Sequence, residues 1–256
     1  MGGMMGGWKR LSAWAACALM MASPGLAQEK TGVKSGFILP PGSARIVLMR
    51  PSVIVGAQST GGMFEPNADW TDEARRNIDR AIQDIQGQLG NSVAAYDSEA
   101  EEAGALSGEY RSLFTSVADS VREYQFFPGN RLPTKKRDKG FDWSIGTDVA
   151  DLPGLSNADY VLFISTEDHY GSTGRKMLQI FAAMGGVSVP TGLHKGYAGL
   201  VDVKTGELVW LNADLQMGGD VRTADGAQKR VGQLFEGFPG RTMPLAQNAL
   251  PGLAQP

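Results

Sequence analysis

The chain is poor in the residues that most often announce a chemistry. It holds one cysteine, Cys17, and two histidines, His169 and His194, in 256 residues. One cysteine excludes an intramolecular disulfide, and two histidines leave little for a His-based metal centre. Acidic residues number 27 and basic residues 24, a formal charge of −3, which is not the basic balance of a nucleic-acid-binding domain. No G-x-S-x-G, H-E-x-x-H, P-loop or EF-hand pattern occurs. These absences remove the usual grounds for calling the chain an enzyme, and they imply no cofactor and no metal. No uncharged apolar run reaches the ~20 residues needed to span a bilayer.

What is present first is an export signal. Lys9 and Arg10 precede an apolar run over residues 11–22, followed by Ser23, Pro24 and small residues at Gly25 and Ala27. A positive start, a short apolar stretch and a small-residue site predict secretion with cleavage after Ala27, and hence a periplasmic or envelope-associated protein. The alternative is a lipoprotein anchored at Cys17 in Ala15-Ala16-Cys17. Trp14 and the short run before Cys17 oppose it. Loss of residues 1–27 removes Lys9 and Arg10, taking the net charge from −3 to −5, and leaves no cysteine.

Residues 28–44 read as a Gly/Pro/Lys leader or linker, residues 45–240 as a single domain, and residues 241–256 as a disordered tail. Residues 45–55 predict a strand that Pro51 must place at a sheet edge, bulge or divide into two short strands. Ala74, Ile78, Ala81, Ile82, Ile85 and Leu89 form one helical stripe, with Thr71 or Asp69 as cap. Residues 92–96 read as a short strand. A second helix is predicted from Ser98, whose spacing to Glu101 suits a capping box, with a break near Ser107, and residues 142–152 read as a short helix. The run 160–164 (YVLFI) predicts a strand buried on both faces, and 166–173 a loop opening a helix at 174–184. Strands at 197–203 and 208–215 form a hairpin around Gly206, and a helix covers 224–237. The alternation predicts an α/β (α+β) fold: one mixed sheet of about five strands with packing helices, ending in a hairpin and a helix.

The candidate ligand site lies between Thr166 and Lys176. A segment that follows a buried strand and opens a helix is where α/β sheets bind anions. Asp168, His169, Ser172, Thr173, Arg175 and Lys176 are its polar groups. The same residues have a plainer reading, as a helix cap followed by exposed cations. Asp168 and His169 are adjacent on a strand and so point to opposite faces, which opposes an acid/base pair. The basic cluster Lys135, Lys136, Arg137 and Lys139 reads as a solvated loop, or as a contact for anionic lipid headgroups or an acidic partner. The stretch 177–193, from Met177 to Leu193, carries no charge over 17 residues. It predicts a buried helix and loop, or else a subunit- or membrane-facing surface. Asp202, Trp210 and Asp220-Val221-Arg222 read as structural, with Asp220 capping the last helix or pairing with Arg222.

Several runs carry a resemblance: Leu132-Pro133-Thr134-Lys135, Phe141-Asp142-Trp143-Ser144, 157–163 (NADYVLF), Gly174-Arg175-Lys176, 199–203 with Thr205-Gly206 and 209–212, Gly219-Asp220-Val221-Arg222, and Phe238-Pro239-Gly240. Over about residues 43–240 these resemble an uncharacterised family of exported proteobacterial envelope proteins. More distantly, the chain is similar to the small α/β domain shared by the amino-terminal part of the Tol-system propeller protein, the curli secretion channel subunit and peptidoglycan-synthase activator lipoproteins. The resemblance implies a domain that binds protein partners or self-associates, without catalysis. The expectation is therefore an exported, non-catalytic accessory or assembly factor. A periplasmic small-ligand or anion-binding protein using the 166–176 segment is the second expectation, and a hydrolase the third.

Overall fold

The computed structural model describes residues 30–97, 105–133, 140–189 and 192–241. The signal segment with Cys17, the basic cluster Lys135, Lys136, Arg137 and Lys139, the capping-box pair Ser98 and Glu101, and the tail beyond Arg241 lie outside the described residues.

Among the described residues eight strands form one mixed sheet with helices on both faces, so the predicted class holds while the strand count rises from about five to eight. The strands are β1 (Thr31–Val33), β2 (Arg45–Leu48), β3 (Ser52–Gln58), β4 (Phe64–Pro66), β5 (Ser92–Ala95), β6 (Tyr160–Gly171), β7 (Gly192–Asp202) and β8 (Leu208–Asp214). The helices are α1 (Ala68–Ile85), α2 (Ala105–Val121), α3 (Thr173–Met184) and α4 (Ala224–Leu234). The sheet order is β1-β8-β7-β6-β2-β5, with β3 and β4 continuing the sheet beside the second half of β6.

Pro51 divides 45–55 into β2 and β3, both parallel to β6. Leu48 pairs with Leu162 and Ser52 with Ser165, so four steps on one strand answer three on the other. The extra residue inverts the side-chain alternation. That is why Ile46, Val53 and Val55 can all enter the same core although 46 and 53 differ by an odd number. Neither piece is a sheet edge, because β5 and β4 flank them.

β6 is buried on both faces, as its YVLFI start predicts. Leu162 and Ile164 pack with α1 and α4, while Val161 and Phe163 pack with α2. Phe163 stacks on Phe114, their ring centroids 5.1 Å apart. The hairpin β7–β8 turns at Gly206, whose φ of 67° suits glycine.

Several expectations need correction. The leader contributes β1, an edge strand antiparallel to β8, and Leu39 is buried. The N-cap of α1 is Asn67, which accepts from the Trp70 N–H; Thr71 instead exchanges two hydrogen bonds with Val55 of β3. Ser107 lies inside α2 with no break. Residues 142–152 form only a 3₁₀ turn at Thr147–Asp151. The 166–173 loop is strand: β6 runs to Gly171 and pairs with β7 from Tyr160–Asp202 to Tyr170–Gly192. The polar residues that suggested a loop are accommodated in the ladder because they find charged and hydroxyl partners on β6, β7 and α4.

Candidate functional site

The long β6–β7 ladder projects beyond the apolar core, and two polar clusters occupy its opposite faces. Alternation along β6 sends Thr166, Asp168 and Tyr170 towards the α1/α4 side, and Glu167 and His169 towards the α2 side. Register across β7 places His194 opposite Asp168 and Lys195 opposite Glu167.

On the first face, Asp168 and Arg230 of α4 are fully buried. Arg230 spends all five N–H donors: two on Asp168 at 2.7 and 2.8 Å, one on Thr166 Oγ1 at 2.6 Å, and two on the carbonyls of Gly218 and Gly219. His194 Nδ1 lies 2.7 Å from Asp168 Oδ1. Burial raises the Asp168 carboxyl pKa, but the hydrogen bonds and charges of His194 and Arg230 outweigh it and leave the group below its ordinary 3.8. An aspartate-oriented imidazole is half of a catalytic relay. The neighbouring hydroxyl, on Thr166, bonds to Asp168, Arg230 and the Lys195 carbonyl instead of to His194, so the imidazole does not activate it.

Beside this cluster Arg222 lies over the rings of Tyr170 and Trp70, at 3.8 and 4.6 Å from their centroids. Asp220 holds the guanidinium by two bonds of 2.9 and 2.7 Å. The Arg222 hydrogen bonds, set against burial, lower the Asp220 carboxyl to about 2. Thr223, not Asp220, caps α4.

On the second face, Glu167 bridges Lys195 at 2.9 Å and His169 at 2.7 Å. Phe64 of β4 stacks on the His169 ring at 3.8 Å. Lys195 also approaches Asp119 of α2, which accepts from the Tyr197 hydroxyl. Burial raises the Glu167 pKa, and the bonds from Lys195 and His169 reverse it to a net lowering.

The six sequence-predicted site residues therefore do not converge. Asp168 and His169 sit on opposite faces, each with its own partners. Ser172 caps α3 by accepting from the Arg175 N–H at 3.3 Å. Thr173 and Lys176 are exposed, and Arg175 is buried against Gly62. A surface cleft of about 600 Å³ is lined by Arg50, Asp79, Gln83 and Tyr96, among others, and contains none of the six. Among the described residues no three His, Cys, Asp or Glu side chains gather as metal ligands. Sequence reasoning gave His194, Lys195 and Arg230 no role, since only the β6–β7 register and α4 bring them to Asp168 and Glu167.

The other unusual feature is α3. The sequence favoured burial of this helix; the structure places its apolar side outward. Arg175 is buried and Gln179 and Ala182 are half-buried against the body of the protein. Ile180 is 56% exposed, Phe181 64% and Met184 80%, with Met177, Leu178 and Val187 also exposed. At 3.6 residues per turn, Met177, Ile180, Phe181 and Met184 form one stripe at i, i+3, i+4 and i+7. A Schellman closure ends the helix: Val187 N–H reaches the Ala182 carbonyl at 2.8 Å and Gly186, at φ 75°, bonds Ala183.

No helix among the described residues is long and apolar enough to cross a membrane. No family model and no curated protein matches the sequence. Among solved structures, the chain is similar to a PelC dodecamer from Paraburkholderia phytofirmans, at 13% identity and a TM-score of 0.32, covering 83% of this chain and 97% of that one. A point variant of the same dodecamer matches at 12% identity and a TM-score of 0.32, over 83% and 98%. Superposition this loose transfers no site residue.

Proposed function

We propose that this chain is an exported, non-catalytic accessory factor of the cell envelope that works through protein contacts made by the outer face of α3. The observation that carries the reading is the inverted helix: α3 turns Arg175 and Gln179 inward and a two-turn apolar stripe outward. Exposed apolar patches of this kind mark interaction surfaces. The polar groups of the β6–β7 ladder engage one another, which favours a structural role for them over a catalytic one. Export rests on the signal pattern of residues 1–27.

The test is affinity capture from solubilised envelopes with the wild-type chain and with Phe181→Asp. Specific partners, the chain itself included, that are held by the wild type and lost in a variant of unchanged circular dichroism support the proposal. The same partners at the same yield from both proteins refute it.

A further inference from the structure

We infer that the outer face of α3 pairs with the same face of a second copy, antiparallel and two-fold symmetric. The inference rests on the reading of α3 as a contact surface and names the partner.

The stripe is self-complementary. It carries no charge to repel its copy, and no Asp or Glu occurs between Asp168 and Asp202. A two-fold axis between Ile180 and Phe181 sets Met177 against the partner's Met184 and Ile180 against the partner's Phe181. Such isologous contacts are the common form of homodimer. Stripes at i, i+3, i+4 and i+7 are the pattern by which helices pack on helices.

Charge gives the direction. α3 has its cations at the wrong end for its own dipole: Arg175 and Lys176 stand in the first turn, and the last turn has no basic residue. Antiparallel pairing lays the exposed Lys176 beside the partner's Gly185, at the negative end of the opposite helix. Gly185 and Gly186 have no side chains to obstruct it. Parallel pairing would set the two Lys176 side chains together instead.

Area sets the strength of the pair. Taking ~100 Å² for a fully exposed apolar side chain of this size, the four stripe residues supply ~250 Å² per copy, or ~500 Å² per pair. At the ~65% apolar share of homodimer interfaces this corresponds to ~800 Å² in all, the size of a weak, concentration-dependent dimer. A bilayer fits less well. An interfacial helix carries Lys and Arg opposite its apolar face. Here the opposite face, with Arg175 and Gln179, is turned into the protein.

Sedimentation velocity on the purified protein over a hundredfold concentration range is the test. The wild type should form a dimer, and Phe181→Asp should raise its Kd by at least about tenfold. In a Cys17→Ser background, Ile180→Cys should give a disulfide-linked dimer on mild oxidation and Gln179→Cys should not. A wild-type chain that stays monomeric throughout overturns the inference, whether or not it binds anionic vesicles. So does Gln179→Cys crosslinking as readily as Ile180→Cys. A monomer whose envelope partners still depend on Phe181 would refute self-pairing and leave the proposed function standing.

Discussion

Replacing Arg230 by Met should be among the most damaging single changes in this fold. Arg230 and Asp168 are both fully buried, and the guanidinium uses every donor it has. Removing the cation leaves the Asp168 carboxylate to His194 and Thr166, and leaves the Gly218 and Gly219 carbonyls without this donor. Breaking a buried pair from one side costs ~3–5 kcal/mol, against a total stability of ~5–15 kcal/mol for a typical domain. Replacing both partners is a different perturbation. The pair Asp168→Leu with Arg230→Met removes the orphaned charge, so the double variant should lose less than the two single losses together. Urea unfolding followed by circular dichroism measures all four corners of this cycle. A loss below ~1 kcal/mol for Arg230→Met, or strict additivity in the double variant, would refute the argument that the buried pair locks α4 to the β6–β7 ladder.

Acid should act through the same carboxylate. The folded Asp168 pKa lies below its ordinary 3.8, so its stabilising contribution is complete above that value and is lost as the pH falls below it. Asp168→Asn should flatten the acid limb of a stability profile, and an unchanged limb would contradict the assignment. Asn212 is buried in β8 and donates to the carbonyls of Gln233 and Leu234 at the end of α4, so Asn212→Leu should cost ~1–3 kcal/mol in urea unfolding. A Cβ on Gly199 would overlap the Phe114 ring, so Gly199→Ala should cost ~1–3 kcal/mol through overpacking, seen as a lowered Tm. By contrast, Phe181→Asp and Met184→Asp on the exposed face of α3 should leave monomer stability within ~0.5 kcal/mol.

The sheet was largely readable because its signals are local. YVLFI announces a doubly buried strand, Pro51 announces an interruption, and Gly206 announces a turn. β1 was missed because three residues, Thr31 to Val33, carry no periodicity of their own and become a strand only by pairing with β8. The polar half of β6 was missed for a related reason. Thr166 to Gly171 look like loop until register brings His194, Lys195 and Arg230 to satisfy Asp168 and Glu167. The α3 helix is legible in the sequence, but its orientation is not. Periodicity locates an apolar stripe without saying which side faces the protein, and the usual assumption is that the apolar side does. Buried Arg175 reverses that assumption here.

The most direct test of the central claim is site-specific photocrosslinking in intact cells. A benzophenone amino acid is placed at Ile180 or Met184 on the outer face of α3, and at exposed Arg76 on α1 as the control. Discrete protein adducts from positions 180 and 184, and none from 76, are expected. Adducts absent at both α3 positions, or equal at all three, would contradict the account.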